Sequence, residues 1–163
     1  MSFDENKEML DGFVADSREL LEEIEPKLIE LQQSSEACGS ADKESINSIF
    51  RLFHSLKGAA GFLNLGNVAG VTHEAETLLN LIREDKFPLT TSHTNILCES
   101  CDLLQTLLTN IEEHGTDQGM EQQVETIVKT LSEHSKGGGT DKSVDPSATE
   151  GQNPEISLDK AET

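Results

Sequence analysis

The feature that most constrains this chain is the spacing of its large apolar residues, which recur at steps of three and four in five separate segments. Over 4–33 the stripe is Leu10, Phe13, Ser17, Leu20, Leu21, Ile24, Leu28 and Leu31. That spacing gathers them on one face of an α-helix and leaves a Glu- and Asp-rich face to solvent. Pro26 lies inside the stripe. It has no N–H and its ring crowds the carbonyl four residues back, so a kink or break is expected near 22–26, although the stripe keeps phase across it. A second helix is expected over 42–64, capped by Asp42 or Ser40, with Ile46, Ile49, Phe50, Phe53, Leu56, Ala60 and Leu63 inward and Gly66 and Asn67 ending it. A third covers 67–85 with Val68, Val71, Ala75, Leu78, Leu79 and Ile82 inward, before Phe87 and Pro88. A fourth, 91–113, is capped from Thr90 to Ser92, carries Ile96, Leu97, Cys101, Leu104, Leu108 and Ile111, and stops at Gly115. A weaker fifth runs over 117–134 with Met120, Val124, Ile127, Val128 and Leu131.

Alternating β-branched runs with tight turns are absent, and so are repeats of solenoid period. Long amphipathic helices joined by short connections pack as antiparallel neighbours. The expectation is therefore an all-α fold: an up-down-up-down four-helix bundle with an additional C-terminal helix packed outside it, together spanning 1–135. Residues 136–163 hold glycine, proline, serine and threonine, no aromatic residue and few large apolar ones. Such a segment cannot bury enough surface to offset its chain entropy, and it reads as a disordered, flexible linker or tail.

Charge narrows the function. Asp and Glu number 31 against 12 Lys and Arg, for a formal net charge of −19. This argues against a nucleic-acid backbone and an anionic membrane surface as partners. No Trp or Tyr is present to stack on bases. No apolar run reaches the roughly 18 residues of a membrane span, and MSFDENKEML does not read as a signal peptide. Three cysteines, Cys38, Cys98 and Cys101, are no disulfide framework, so a reducing cytoplasm is the expected setting. One window is exempt from the acidity: between Ser45 and His73 there is no Asp or Glu, while Arg51 and Lys57 are present. A buried helix with little surface to charge would look like this. So would a surface that has to meet an anion.

His54, in FRLFHSLKGAAGF, stands in that window. It lies one step, ~100°, beyond the inward Phe53 and so at the edge of the stripe or outside it. Arg51, Lys57, Gly58 and Gly61 share its face. Two glycines in a helix interior each cost about 1 kcal/mol relative to alanine. They serve either close helix packing or a bare surface that lets a partner reach the imidazole. Neutral imidazole is a competent nucleophile near neutral pH and can form a phosphoramidate. Lys57, one turn on, is placed to neutralise phosphoryl oxygens. A nucleophilic ring nitrogen also needs its other nitrogen held as N–H by an acceptor. In the third helix His73 and Glu76 are three apart, share a face and flank the stripe edge-on; Glu76 is the candidate that orients His54.

HSLKGAAGF followed by H-x-x-E in the next helix resembles the histidine phosphotransfer (HPt) domain, most nearly the N-terminal phosphotransfer domain of CheA-type chemotaxis histidine kinases. The resemblance covers roughly 4–134. It implies that His54 is phosphorylated on a ring nitrogen, with Lys57, His73 and Glu76 as a hydrogen-bonded network around it. It implies two partners: a histidine kinase catalytic domain, in trans or on the same polypeptide, and a response-regulator receiver domain. Arg51, Gly58 and Gly61 would form the docking patch. ATP and Mg would be supplied through the kinase domain, since this chain has no Gly-rich phosphate cradle of its own. The tail then resembles the linker to a regulator-docking domain.

A stand-alone relay protein shares this chemistry, and a non-catalytic helical scaffold is the rival from another class. Cys98 and Cys101 form a CxxC inside a helix with no sheet nearby and read as two semi-buried thiols. His114 and His134 sit near helix C-termini, where a dipole suffices to explain them, and His93 lies near another helix end. One His73-x-x-Glu76 does not make a di-metal bundle, so no metal is expected.

Overall fold

The computed structural model describes residues 3–38 and 42–137. Five helices follow in order: α1 (Phe3–Cys38), α2 (Lys43–Phe62), α3 (Gly66–Arg83), α4 (Thr91–His114) and α5 (Glu121–Gly137). α1 packs on α2 and α4, and α3 completes the ring by packing on α2 and α4. Side-chain pairs set the directions. Arg18 reaches Glu112 at 2.9 Å while Gln32 accepts from Thr94 at 3.0 Å, so α1 and α4 run antiparallel. α2 and α3 pair the same way, His54 with Glu76 and Asn47 with Arg83. The up-down-up-down bundle is therefore present, and α5 packs outside it against α3 and α4.

The stripes become the core. Leu21, Ile24, Leu28, Ile49, Phe53, Ala60, Val68, Val71, Leu78, Leu97 and Leu104 have no exposed surface. Burying each large aliphatic side chain contributes about 1.5–3 kcal/mol, and this holds helices that are individually ordinary in propensity.

Four local expectations need correction. α1 continues through Pro26 without a break. Pro26 is on the exposed face, so the carbonyl it leaves unpaired meets water, while Ile24 and Leu28 stay buried on either side. α2 is ended not by Gly66 but by Asn64, which takes φ 60°; Gly66 is already the first residue of α3. Asn is one of the few side chains that tolerates this left-handed conformation. α5 begins at Glu121, four residues later than expected, and extends to Gly137, past the boundary placed at 135. The rest of the expected tail, 138–163, lies outside the described residues, as does Ser40, the alternative cap for α2.

Two connections seat the bundle's opposite ends in ways the stripes do not show. Asp117, 2% exposed in the α4–α5 connection, accepts from the backbone N–H groups of Asn67 at 2.8 Å and Val68 at 3.0 Å. It thus caps the N-terminus of α3, whose own Leu65 has no side chain to do so. His93, in the first turn of α4, is fully buried. Its Nδ1 accepts the Thr90 N–H at 2.9 Å in a capping box, and its ring packs on Phe87 and edge-on against His134 of α5.

Candidate functional site

The site forms where α2 and α3 face each other. On α2, Phe53 and Leu56 are locked into the core, so the residue after Phe53 is carried out to the rim: the His54 side chain is 64% exposed. On α3, Ala75, Leu78 and Leu79 are buried, and Glu76 is carried to the seam between the helices, where its side chain is only 10% exposed. Antiparallel pairing brings the two together. Glu76 Oε2 is bonded to His54 Nδ1, and Glu76 Oε1 accepts from Lys57 Nζ at 2.6 Å.

Burial alone would raise the Glu76 pKa. The hydrogen bonds and positive charge offered by Lys57, and the hydrogen bond from His54, outweigh it and hold the carboxyl below its ordinary value. Glu76 is therefore an ionised carboxylate at neutral pH and can only accept. Nδ1 of His54 must then carry the hydrogen, and the Nε2 of the neutral ring keeps its lone pair. The arrangement is an exposed imidazole, a carboxylate bonded to its Nδ1 and a cation that holds the carboxylate from its other oxygen.

Phe50, one turn before His54, lies with its ring 10° from parallel to the imidazole at 6.2 Å between centroids. The Arg83 guanidinium sits 4.2 Å from the Phe50 centroid. Neither residue was singled out as functional in the sequence. Phe50 belongs to the apolar stripe and Arg83 lies in the last turn of α3, so no local signal separates them from packing.

His73 is not brought into the network. Its side chain is exposed and its ring makes no hydrogen bond among the described residues; only its carbonyl is used, by Thr77. Arg51, Gly58 and Gly61 are all exposed around His54. A Cβ built on either glycine would meet nothing within 4 Å, so neither is needed for helix packing within the chain. They leave the surface bare. Beyond them Phe62 is 77% exposed and lines an open groove of about 390 Å³ with Phe13 and Leu20 of α1. The sequence holds a signal for it, since Phe62 falls off the stripe between Ala60 and Leu63.

Cys98 and Cys101 are free thiols, half-buried and buried. Burial, with Glu25 and Asp102 nearby, pushes both pKa values up, opposite to what a reactive CxxC requires. No group of three or more His, Cys, Asp or Glu that could hold a metal occurs among the described residues. No helix among them is long and apolar enough to cross a membrane.

The fold and site define a helical bundle that presents one oriented histidine on a bare surface. Residues 8–114 match the Hpt domain family model, and the chain belongs to that family. Among its relatives, the sensor histidine kinase CheAY of Helicobacter pylori is 33% identical over 130 residues, which are 78% of this chain and 16% of that protein. The chemotaxis protein CheA of Salmonella typhimurium is 34% identical over 93 residues, 57% of this chain and 13% of that protein. The chain thus spans about one sixth or less of the length of these relatives. Two solved structures share the fold. The phosphorylated P1 domain of CheA3 in complex with CheY6 from R. sphaeroides superposes with a TM-score of 0.71 at 23% identity, covering 80% of this chain and 98% of that one. The histidine phosphotransfer domain of CheA superposes at 0.68 and 25% identity, covering 78% and 91%.

Proposed function

We propose that this chain is the phosphotransfer module of a two-component relay, receiving a phosphoryl group on His54 and passing it to an aspartate of a response-regulator receiver domain. The observation that carries the reading is the exposed imidazole tied at Nδ1 by a buried carboxylate, which leaves Nε2 as the nucleophilic nitrogen. In the first step the Nε2 lone pair forms the N–P bond to the γ-phosphorus of ATP held by a kinase catalytic domain. The P–O bond to ADP breaks, and its electron pair leaves on ADP. The ring becomes an imidazolium that keeps its Nδ1 hydrogen, and Glu76 offsets the positive charge. Lys57 steadies Glu76 and lies one turn from Nε2, within reach of phosphoryl oxygens. In the second step a receiver carboxylate attacks phosphorus, the N–P bond breaks and its electrons return to the ring.

Positioning and charge are most of what phosphoryl transfer asks of a protein, and ATP and Mg belong to the kinase domain in this reading. The bare surface at Gly58 and Gly61, flanked by Arg51, is where the partner domains dock. The relatives named as CheA and CheAY, of which this chain matches about one sixth or less, support placing it in a chemotaxis sensor kinase, in our reading as its cytoplasmic N-terminal domain. The test is incubation with cognate kinase and labelled ATP. Wild-type chain is expected to take up acid-labile label and His54→Gln none; label on His54→Gln at the wild-type level would remove His54 from the mechanism.

A further inference from the structure

We infer that Phe50 and Arg83 are positioning residues for His54, setting the plane of the imidazole as Glu76 sets its tautomer. The inference rests on His54 being the phosphoacceptor. The ring plane is set by rotation about the Cα–Cβ and Cβ–Cγ bonds, and the hydrogen bond at Nδ1 restrains that rotation from one edge of the ring only. With 64% of the side chain in solvent, little else restrains it. Phe50 supplies the second constraint. Its ring is nearly parallel to the imidazole, with centroids 6.2 Å apart, an offset-stacked arrangement.

Phe50 is itself only partly buried and needs something to hold it. Arg83, in the last turn of α3, reaches across so that its guanidinium carbon lies 4.2 Å from the Phe50 centroid. The guanidinium is aimed by Asn47 Oδ1 of α2, at 3.2 Å, and by Asn80 Oδ1 of α3. Both acceptors are neutral amides. In a chain with 31 carboxylates, Arg83 forms no carboxylate ion pair among the described residues. Its charge is left to the aromatic ring instead of being neutralised. The series Arg83, Phe50, His54 thus ties the phosphoacceptor to both helices of the hairpin by a route separate from Glu76.

The experiment labels the chain with two donors: cognate kinase plus ATP, and phosphoramidate, which needs no docking and transfers by breaking its own P–N bond with loss of ammonia. Phe50→Leu is expected to slow labelling about tenfold with either donor, as a loss of orientation should. With the kinase the loss falls on kcat, not on KM for the chain. Phe50→Tyr restores the rate. Arg83→Met, which keeps the stem and removes the cation, gives a smaller loss, about threefold, by loosening Phe50. The ring-proton resonances of His54 move in Phe50→Leu while helical circular dichroism is retained. Labelling of Phe50→Leu at the wild-type rate, or unmoved His54 ring resonances, overturns this inference alone. A wild-type chain that takes no label from either donor overturns the phosphoacceptor reading and this inference with it.

Discussion

Replacing Glu76 with Gln should do more damage than removing the side chain altogether. Lys57 Nζ has three hydrogens and no lone pair, so the Gln carbonyl oxygen must take the place of Oε1, which now accepts from Lys57 at 2.6 Å. The amide nitrogen then occupies the position of Oε2 and points its hydrogens at His54 Nδ1. Nδ1 becomes an acceptor, the ring hydrogen moves to Nε2, and the nucleophilic lone pair is lost. One neutral hydrogen bond favours this wrong tautomer by about 1 kcal/mol, or roughly fivefold. Loss of the charge-assisted bond that would support the imidazolium takes about 1.5–3 kcal/mol more. Together these amount to a fall of roughly 70- to 900-fold in phosphorylation rate. Glu76→Ala loses only the second contribution and should fall by roughly 10- to 150-fold with the fold intact. Nitrogen-15 spectra of the His54 ring report the tautomer directly, and label uptake from kinase and ATP reports the rate. If Glu76→Gln keeps its hydrogen on Nδ1, or outpaces Glu76→Ala, the argument from donor geometry is wrong.

The pH dependence of stability follows from the same carboxylate. Its folded pKa is lowered from 4.5, so its contribution is complete above the unfolded value and is lost as pH falls through the folded one. The gap in urea midpoint between wild type and Glu76→Gln should therefore persist at pH 6–7 and close under acid conditions below about pH 4; a gap that widens in acid contradicts the sign. Asp117→Ala strips the buried N–H of Val68 and the half-buried N–H of Asn67 of their acceptor and should cost about 2 kcal/mol in urea denaturation, with hydrogen exchange accelerated at Asn67 and Val68. Unchanged stability would mean the loop carboxylate caps nothing. Gly58→Ala should raise stability by about 1 kcal/mol, since nothing opposes the new Cβ. Gly58→Leu should slow labelling by the kinase more than labelling by phosphoramidate, and equal slowing would argue against a docking surface there.

The helices were legible because their cause is local. Apolar steps of three and four decide which face is buried, and every inward residue expected of α3 and α4 is buried. His54 was legible for the same reason, since its place one step past Phe53 puts it outside any helix that buries Phe53. Of the kink or break expected at Pro26 the break is absent, because the cost of a proline depends on which face it occupies, and the exposed face is the cheap one. Glu76 was picked from the sequence as the residue that meets His54, but His73 was placed in the same network and stands outside it. Both flank the α3 stripe, and only the crossing of α2 over α3 decides which flank lies in the seam.

What the sequence determines by itself is the set of amphipathic helices, the exposed histidine and the carboxylate-free stretch of chain around it, because periodicity and composition act within a turn or two of chain. What only the tertiary structure decides is the site's chemistry. Glu76 meets His54 from 22 residues away, Arg83 meets Phe50 from the far end of the next helix, and Asp117 caps α3 from 50 residues on. Those contacts exist because helices pack at one registry out of several that the stripes alone would allow, and that registry ties an exposed histidine to a buried carboxylate.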